Sequence, residues 1–201
     1  MIQDITVDLR FSSPIGRINL PEVAQRADEI SSKAVELSKE SESLHRSNQG
    51  GWHSNSLLDS NEPIFQFVAD QVKAGVKSVL RNIVGEEKSD KVSFSKLWVN
   101  VNEFGSWNTP HDHTTTWSGV LYVNGLIDRA PGGYNTGALT FWNPIAGVAQ
   151  RGFPANVEIS PAPGDLLLFP GYLLHGVAPH SGDSPRITFA FDFDQLHEVI
   201  R

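Results

Sequence analysis

The sequence predicts an α+β fold that is mainly β: a jelly roll with two N-terminal helices packed on it. Three observations carry that prediction. Hydrophobic residues recur at three- and four-residue spacing in two stretches before residue 90, and after it the period collapses into short β-like runs broken by Gly, Pro and Asn. Helices followed by strands, rather than alternating with them, read as α+β around a β-sandwich. At 201 residues the chain has room for one well-buried core but not for two. We therefore expect one domain over 1–201, with 1–90 a helical support carrying a Gly-Gly-Trp loop and 91–194 the jelly-roll core.

Taken in order, Ile2, Ile5, Val7 and Leu9 alternate with polar neighbours over residues 2–10, as in a short edge strand that stops at Ser12, Ser13 and Pro14. Pro21 opens an amphipathic helix to about Ser43, with Val23, Ala27, Ile30, Ala34 and Leu37 on one face. Residues 44–62 are rich in Gly, Ser and Asn and form a loop. A second helix runs from Pro63 to about Val84. Its stripe of Ile64, Phe67, Val68, Val72, Val76 and Val79 suits packing on a sheet, and Gly85 is the stop signal. The strand runs that follow are VSFSKLWVNV, WSGVLYV, GALTFW, NVEIS, GDLLLFP, LLHGVAP and RITFAFDF. The stretch 124–136, containing Gly132-Gly133, reads as a loop near the strand ends that helps gate a site.

Composition narrows the function. Hydrophobic residues make up 39% and charged residues 19%, with five Trp and eleven Phe, the balance of a folded protein. There is no Cys, so a metal must be held by imidazole or oxygen. The formal charge of -7 and the lack of a Lys/Arg cluster argue against nucleic acid. The opening MIQDITVDLR has no apolar run, and no stretch approaches the ~18 apolar residues of a membrane span. A cytoplasmic location with no membrane partner is expected.

Three of the seven histidines fall in the two most distinctive β-region segments, NTPHDHTTTWSG and GDLLLFPGYLLHGVAP. Side chains alternate along a strand, so His111 and His113 share a face while Asp112 points away. A third imidazole, His175, comes from a distant strand. Three protein ligands leave up to three positions of an octahedral ion open, which favours chemistry over scaffolding. Further on, Arg186 and Thr188 share one face of a strand and supply a bidentate guanidinium and a hydroxyl for a carboxylate. Singly these features have plain explanations: His-x-His as hydrogen-bonded structural histidines, Arg186 as a surface ion pair.

Together, His-x-His, the Gly164-Asp165 to Phe169-Pro170 run, His175 and Arg186-Ile187-Thr188 resemble the 2-oxoglutarate/Fe(II)-dependent dioxygenases. More narrowly, the chain resembles a 2-oxoglutarate/Fe(II) oxygenase family of bacteria and phages. That likeness runs through Trp98, Asn102, Gly105, Asn108, His111, His113, Ser118-Gly119 and Tyr122-Val123, continues from Gly164 to Arg186, and takes in Gly50-Gly51-Trp52-His53-Ser54 upstream. It implies a cupin-like double-stranded β-helix using Fe(II), 2-oxoglutarate and O2, and yielding an oxidised substrate, succinate and CO2. By position, His111 and His175 match the iron ligands, and Arg186 and Thr188 the 2-oxoglutarate carboxylate site. In the wider superfamily the place of His113 is usually Asp or Glu, and an imidazole there leaves the site one unit more positive. Asp112 substitutes only if the backbone twists, so the strand period favours His113.

Tyr122 and Asn102 are further cosubstrate candidates, and Asn102, Asn108 and Asp112 are near enough in sequence to accept imidazole N–H groups. Trp52, Trp107, Trp117 and Trp142 are candidates for pocket walls, with packing the better reading for at least two, and the Trp52 loop suits a lid. His45, His53, His180 and His197 read as exposed or structural. The substrate is expected to be a small molecule or peptide, and exposed edge strands allow a homodimer. Two other readings fit the same residues: a three-His cupin-like enzyme that does not use 2-oxoglutarate, with Arg186 in a structural ion pair, and a non-catalytic metal- or ligand-binding jelly roll.

Overall fold

The computed structural model describes residues 12–124 and 136–196. The strand expected over 2–10, Gly132-Gly133 and His197 lie outside the described residues. The described chain begins with β1 (Gly16–Asn19), α1 (Pro21–Gln25), α2 (Ala27–Glu40), β2 (Asn48–Gln49), β3 (Trp52–His53), α3 (Pro63–Val84) and α4 (Glu86–Ser89). It continues with β4 (Val92–Asn102), β5 (Trp107–His111), β6 (Trp117–Asn124), β7 (Leu139–Trp142), β8 (Asn156–Ile159), β9 (Asp165–Pro170), β10 (His175–Val177) and β11 (Arg186–Gln195).

These strands form two antiparallel sheets, β1-β9-β6-β11-β4-β3 and β2-β5-β10-β7-β8. In sequence order the chain repeatedly crosses from one sheet to the other, as in a double-stranded β-helix. The first 90 residues feed both sheets: β1 pairs with β9, β3 with β4, and β2 with β5.

The helices follow the sequence with one break. α3 spans Pro63–Val84 and stops at Gly85, whose φ of 88° is the left-handed region glycine tolerates, with its N–H donating to the Arg81 carbonyl at 3.1 Å. The helix expected from Pro21 to Ser43 is instead two, divided at Arg26 (φ -106°, ψ 17°) and ended by extended Ser41. The Arg26 guanidinium is anchored by Glu29 at 2.9 Å and by the Phe67 ring of α3, 4.3 Å from its centroid.

Layering explains why β9 and β11 are almost wholly buried despite their strict alternation. The helices cover one face of the six-stranded sheet and the second sheet faces the other. Leu166 and Leu168 pack into the helix-side core with Phe189, Phe191 and Phe193, while Leu167 and Phe169 join Tyr122, Leu139, Phe141 and Leu173 between the sheets. Fully burying side chains of this size stabilises by about 1.5–3 kcal/mol each, so the helix-side seam makes the six-stranded sheet a rigid base.

Candidate metal centre

The site lies between the sheets, and the β11 alternation builds its base. With Phe189, Phe191 and Phe193 committed to the helices, Arg186, Thr188, Ala190 and Asp192 must face inward. They line a cavity of about 490 Å³ together with Ser118, Val120 and Tyr122 from β6 and Lys96, Trp98 and Asn100 from β4.

The three histidines converge on this cavity from the other side. His111 ends β5, His175 opens β10, and the two are partners in the β5–β10 register. His113 lies just past β5, where its N–H donates to the Gly171 carbonyl at 2.8 Å while Gly171 N–H donates to Thr116 O at 3.0 Å. The ligand atoms of His111, His113 and His175 all lie within 4.8 Å of one another. Asp112 is exposed at the cavity rim and outside this cluster.

Hydrogen bonds fix which nitrogen is free. Nδ1 of His111 is 2.7 Å from the Thr109 carbonyl, and Nδ1 of His175 is 2.8 Å from the Leu173 carbonyl. A carbonyl only accepts, so both Nδ1 atoms carry hydrogen and both Nε2 atoms present lone pairs. His113 Nδ1 is 3.1 and 3.2 Å from the two oxygens of Asp192, a carboxylate–imidazole pair of the kind that orients metal ligands. Burial drives the His175 pKa down to about 3 and lowers that of His111, so both are neutral, the form that binds metal. Ser47 Oγ is 3.3 Å from His111 Nε2, and its own oxygen accepts from Asn108 Nδ2 at 3.1 Å.

At the other end of the cavity lies a buried cation. Arg186 is 3% and Tyr122 1% exposed, and the guanidinium carbon sits 5.2 Å from the Tyr122 ring centroid. Among the described residues neither Arg186 Nε nor Tyr122 Oη has a hydrogen-bond partner, and no carboxylate pairs with the guanidinium. Burial lowers the Arg186 pKa and raises that of Tyr122. Thr188 is in register with Tyr122 and with Asn100, whose Nδ2 donates to Thr188 Oγ1 at 3.5 Å. Asn102 is buried opposite Arg186 in the β4–β11 register but is not part of the cavity wall, where Asn100 stands instead. A charged donor and a hydroxyl left unsatisfied side by side in a dry pocket fit an incoming carboxylate.

Residues 96–192 match the model of the family described as "Putative 2OG-Fe(II) oxygenase". The match takes in all three histidines and Arg186. The chain also shares its fold with solved structures of low sequence identity. HygX from Streptomyces hygroscopicus, solved with nickel and 2-oxoglutarate bound, is 13% identical, with a TM-score of 0.62 over 90% of this chain and 83% of that one. A Pseudomonas putida prolyl-4-hydroxylase is 16% identical, with a TM-score of 0.60 over 92% and 95%. A prolyl hydroxylase from Trichoplax adhaerens, in complex with a hypoxia inducible factor oxygen degradation domain peptide fragment, is 15% identical, with a TM-score of 0.63 over 90% and 83%. No curated protein sequence matches the chain.

Several residues of the site carry no signal of their role in the local sequence. The acceptors of the imidazole N–H groups are Asp192 and two backbone carbonyls, not Asn102, Asn108 or Asp112. The alternation that sets 186, 188 and 190 on one face extends to Asp192. The 44–62 segment supplies Leu44, Arg46, Ser47 and His53–Ser56 to the cavity wall, whereas Trp52 itself donates Nε1–H to Ser41 O at 2.9 Å and packs on the helix-side core. His53 is a wall residue stacked on Trp98, with ring centroids 5.4 Å apart and planes 13° apart. Trp117 is buried in that core, and Trp107 is 37% exposed.

Proposed function

We propose that this protein uses Fe(II), 2-oxoglutarate and O2 to hydroxylate a small-molecule or peptide substrate, within one domain spanning 1–201. The carrying observation is Arg186, a buried guanidinium that no described carboxylate neutralises, which lines the same cavity as the three-histidine cluster. A three-His enzyme without 2-oxoglutarate has no use for it, because the structural ion pair that reading requires is absent among the described residues.

In this reading His111, His113 and His175 hold the iron through Nε2, and Arg186, Thr188 and Tyr122 take the far carboxylate of 2-oxoglutarate. Bound iron and 2-oxoglutarate supply the oxidation: the keto acid loses CO2 to become succinate, O2 is reduced, and one of its oxygen atoms enters a substrate C–H bond. The chain's part is positional and electrostatic. Asp192 fixes the His113 ring, and the carbonyls of Thr109 and Leu173 fix the other two. Phe169, 4.8 Å from the His175 ring centroid, and Phe141, at 6.0 Å, keep water from that side.

No helix among the described residues is long and apolar enough to cross a membrane, and a cytoplasmic setting belongs to the proposal. So does a homodimer through an open sheet edge such as exposed β8, which sedimentation tests. For the site itself, the test is calorimetric titration of Ni(II)-loaded protein with 2-oxoglutarate. Binding that needs both the metal and Arg186 supports the reading, and metal binding without 2-oxoglutarate binding overturns it.

A further inference from the structure

The cavity is larger than 2-oxoglutarate and iron need, and its outer half carries charge that the cosubstrate does not use. Five charged side chains among the described residues line it: Arg46, Lys96, Asp112, Arg186 and Asp192. In the proposed complex the two carboxylates of 2-oxoglutarate go to the iron and to Arg186, and Asp192 stays with His113, so these charges sum to zero without Arg46, Lys96 or Asp112. What is left is Arg46 and Lys96 against the rim carboxylate of Asp112, a local positive excess on a chain whose formal charge is -7.

Both cations are placed beside the metal cluster by the fold. Arg46 directly precedes Ser47, whose hydroxyl is 3.3 Å from His111 Nε2. Lys96 is the β4 partner of Asp192, the carboxylate that holds His113. The stacked pair of His53 and Trp98 lines the same cavity, and the Trp98 ring centroid is 6.2 Å from that of His113. The side-chain contact recorded for Arg46 is with its neighbour's carbonyl, His45 O at 3.0 Å, and among the described residues neither cation forms an ion pair. Burial is the main reason the His53 pKa is lowered, and Arg46 and Lys96 add to it, so both act on this wall.

We propose that the substrate is a small organic anion whose carboxylate or phosphate sits between Arg46 and Lys96, leaving its carbon skeleton to run along the Trp98 wall toward the three histidines. This rests on the cosubstrate reading given above. Charge at the cavity mouth attracts such a substrate, fixes its orientation and disfavours cations.

The test uses the full chain loaded with Ni(II) and saturated with 2-oxoglutarate, titrated calorimetrically with two matched pairs. N-acetyl-L-leucine against N-acetyl-L-leucinamide tests carboxylate, and phenyl phosphate against benzyl alcohol tests phosphate. At least one anion is expected to bind about tenfold more tightly than its neutral partner, as two part-exposed ion pairs permit. Arg46→Gln and Lys96→Gln each reduce that preference several-fold, and the double variant removes it. Both side chains are exposed, so 2-oxoglutarate affinity and the melting temperature stay unchanged. Equal binding of acid and neutral partner, anion binding weaker than about 10 mM, or a preference that survives the double variant each overturns the inference. If 2-oxoglutarate itself fails to bind, the cosubstrate reading falls and this inference with it, whereas 2-oxoglutarate binding without anion preference removes only the inference.

Discussion

Replacing Asp192 should weaken metal binding without touching a metal ligand. Asp192 is 7% exposed; its Oδ2 accepts from His113 Nδ1 at 3.2 Å, and Oδ1 lies 3.1 Å from the same nitrogen without a hydrogen bond of its own. A charge-assisted hydrogen bond of this kind contributes about 1.5–3 kcal/mol, and loss of such a partner typically costs 10–100-fold in metal affinity, or about 1.4–2.8 kcal/mol. The two estimates agree, so Asp192→Ala is expected to bind Co(II) or anaerobic Fe(II) about 10–100-fold more weakly than wild type. Asp192→Asn keeps an acceptor oxygen but not the charge, and should fall between the two. The assay is competition with a chromophoric chelator, run beside His113→Ala as the limit of ligand loss and with melting curves to exclude unfolding. Affinity in Asp192→Ala within twofold of wild type, with His113→Ala clearly impaired, would refute the idea that Asp192 fixes this ligand.

Arg186→Met should separate function from stability. Removing an unpaired buried cation is expected to stabilise the metal-free protein by about 1–3 kcal/mol, read from urea unfolding, while 2-oxoglutarate binding disappears. Gly171→Ala would put a Cβ 2.0 Å from the Thr115 carbonyl oxygen, in the turn that holds the His113 N–H. It is expected to cost about 1–3 kcal/mol and to weaken metal binding more than it weakens 2-oxoglutarate binding at saturating metal. For pH, the His175 pKa is depressed to about 3 by burial, whereas in the unfolded chain a histidine titrates near its ordinary ~6.5. The unfolded state therefore binds more protons between these values. Metal-free stability should be flat above about pH 6.5 and fall as pH drops below it, by up to ~1.4 kcal/mol per pH unit for this one group. His175→Ala, followed by chemical denaturation across pH, should have a correspondingly shallower slope.

Much of this was legible in the sequence because period decides faces. The α3 helix, its Gly85 stop, and the inward set of Arg186 and Thr188 follow from spacing alone. His113 joins the cluster as the alternation predicts, although it lies one step beyond β5, held by Gly171 rather than by a ladder. The same rule, continued by two more inward positions from Thr188, reaches Asp192. What the sequence hid has physical causes. The two-residue strands β2 and β3 are too short to carry a period, and exist because β4 and β5 offer them edges. Arg46, Ser47 and His53 are therefore site residues with no local signal. Two imidazole acceptors are main-chain carbonyls, which no residue type announces. The break falls at Arg26, whose guanidinium lies over Phe67 of another helix, a contact that the local sequence does not show. Asn100 and Asn102, two positions apart on β4 and of the same chemistry, divide between the cavity wall and a buried position outside it, a distinction that spacing does not make.

The most direct test of the account is 2-oxoglutarate turnover in protein loaded anaerobically with Fe(II) and then exposed to O2, with succinate measured against His175→Ala and Arg186→Met. Turnover without added substrate is slow but needs no knowledge of the substrate. The account predicts succinate from wild type and its loss in both variants. Succinate formed equally by Arg186→Met, or iron-loaded wild type that neither binds nor consumes 2-oxoglutarate, contradicts it.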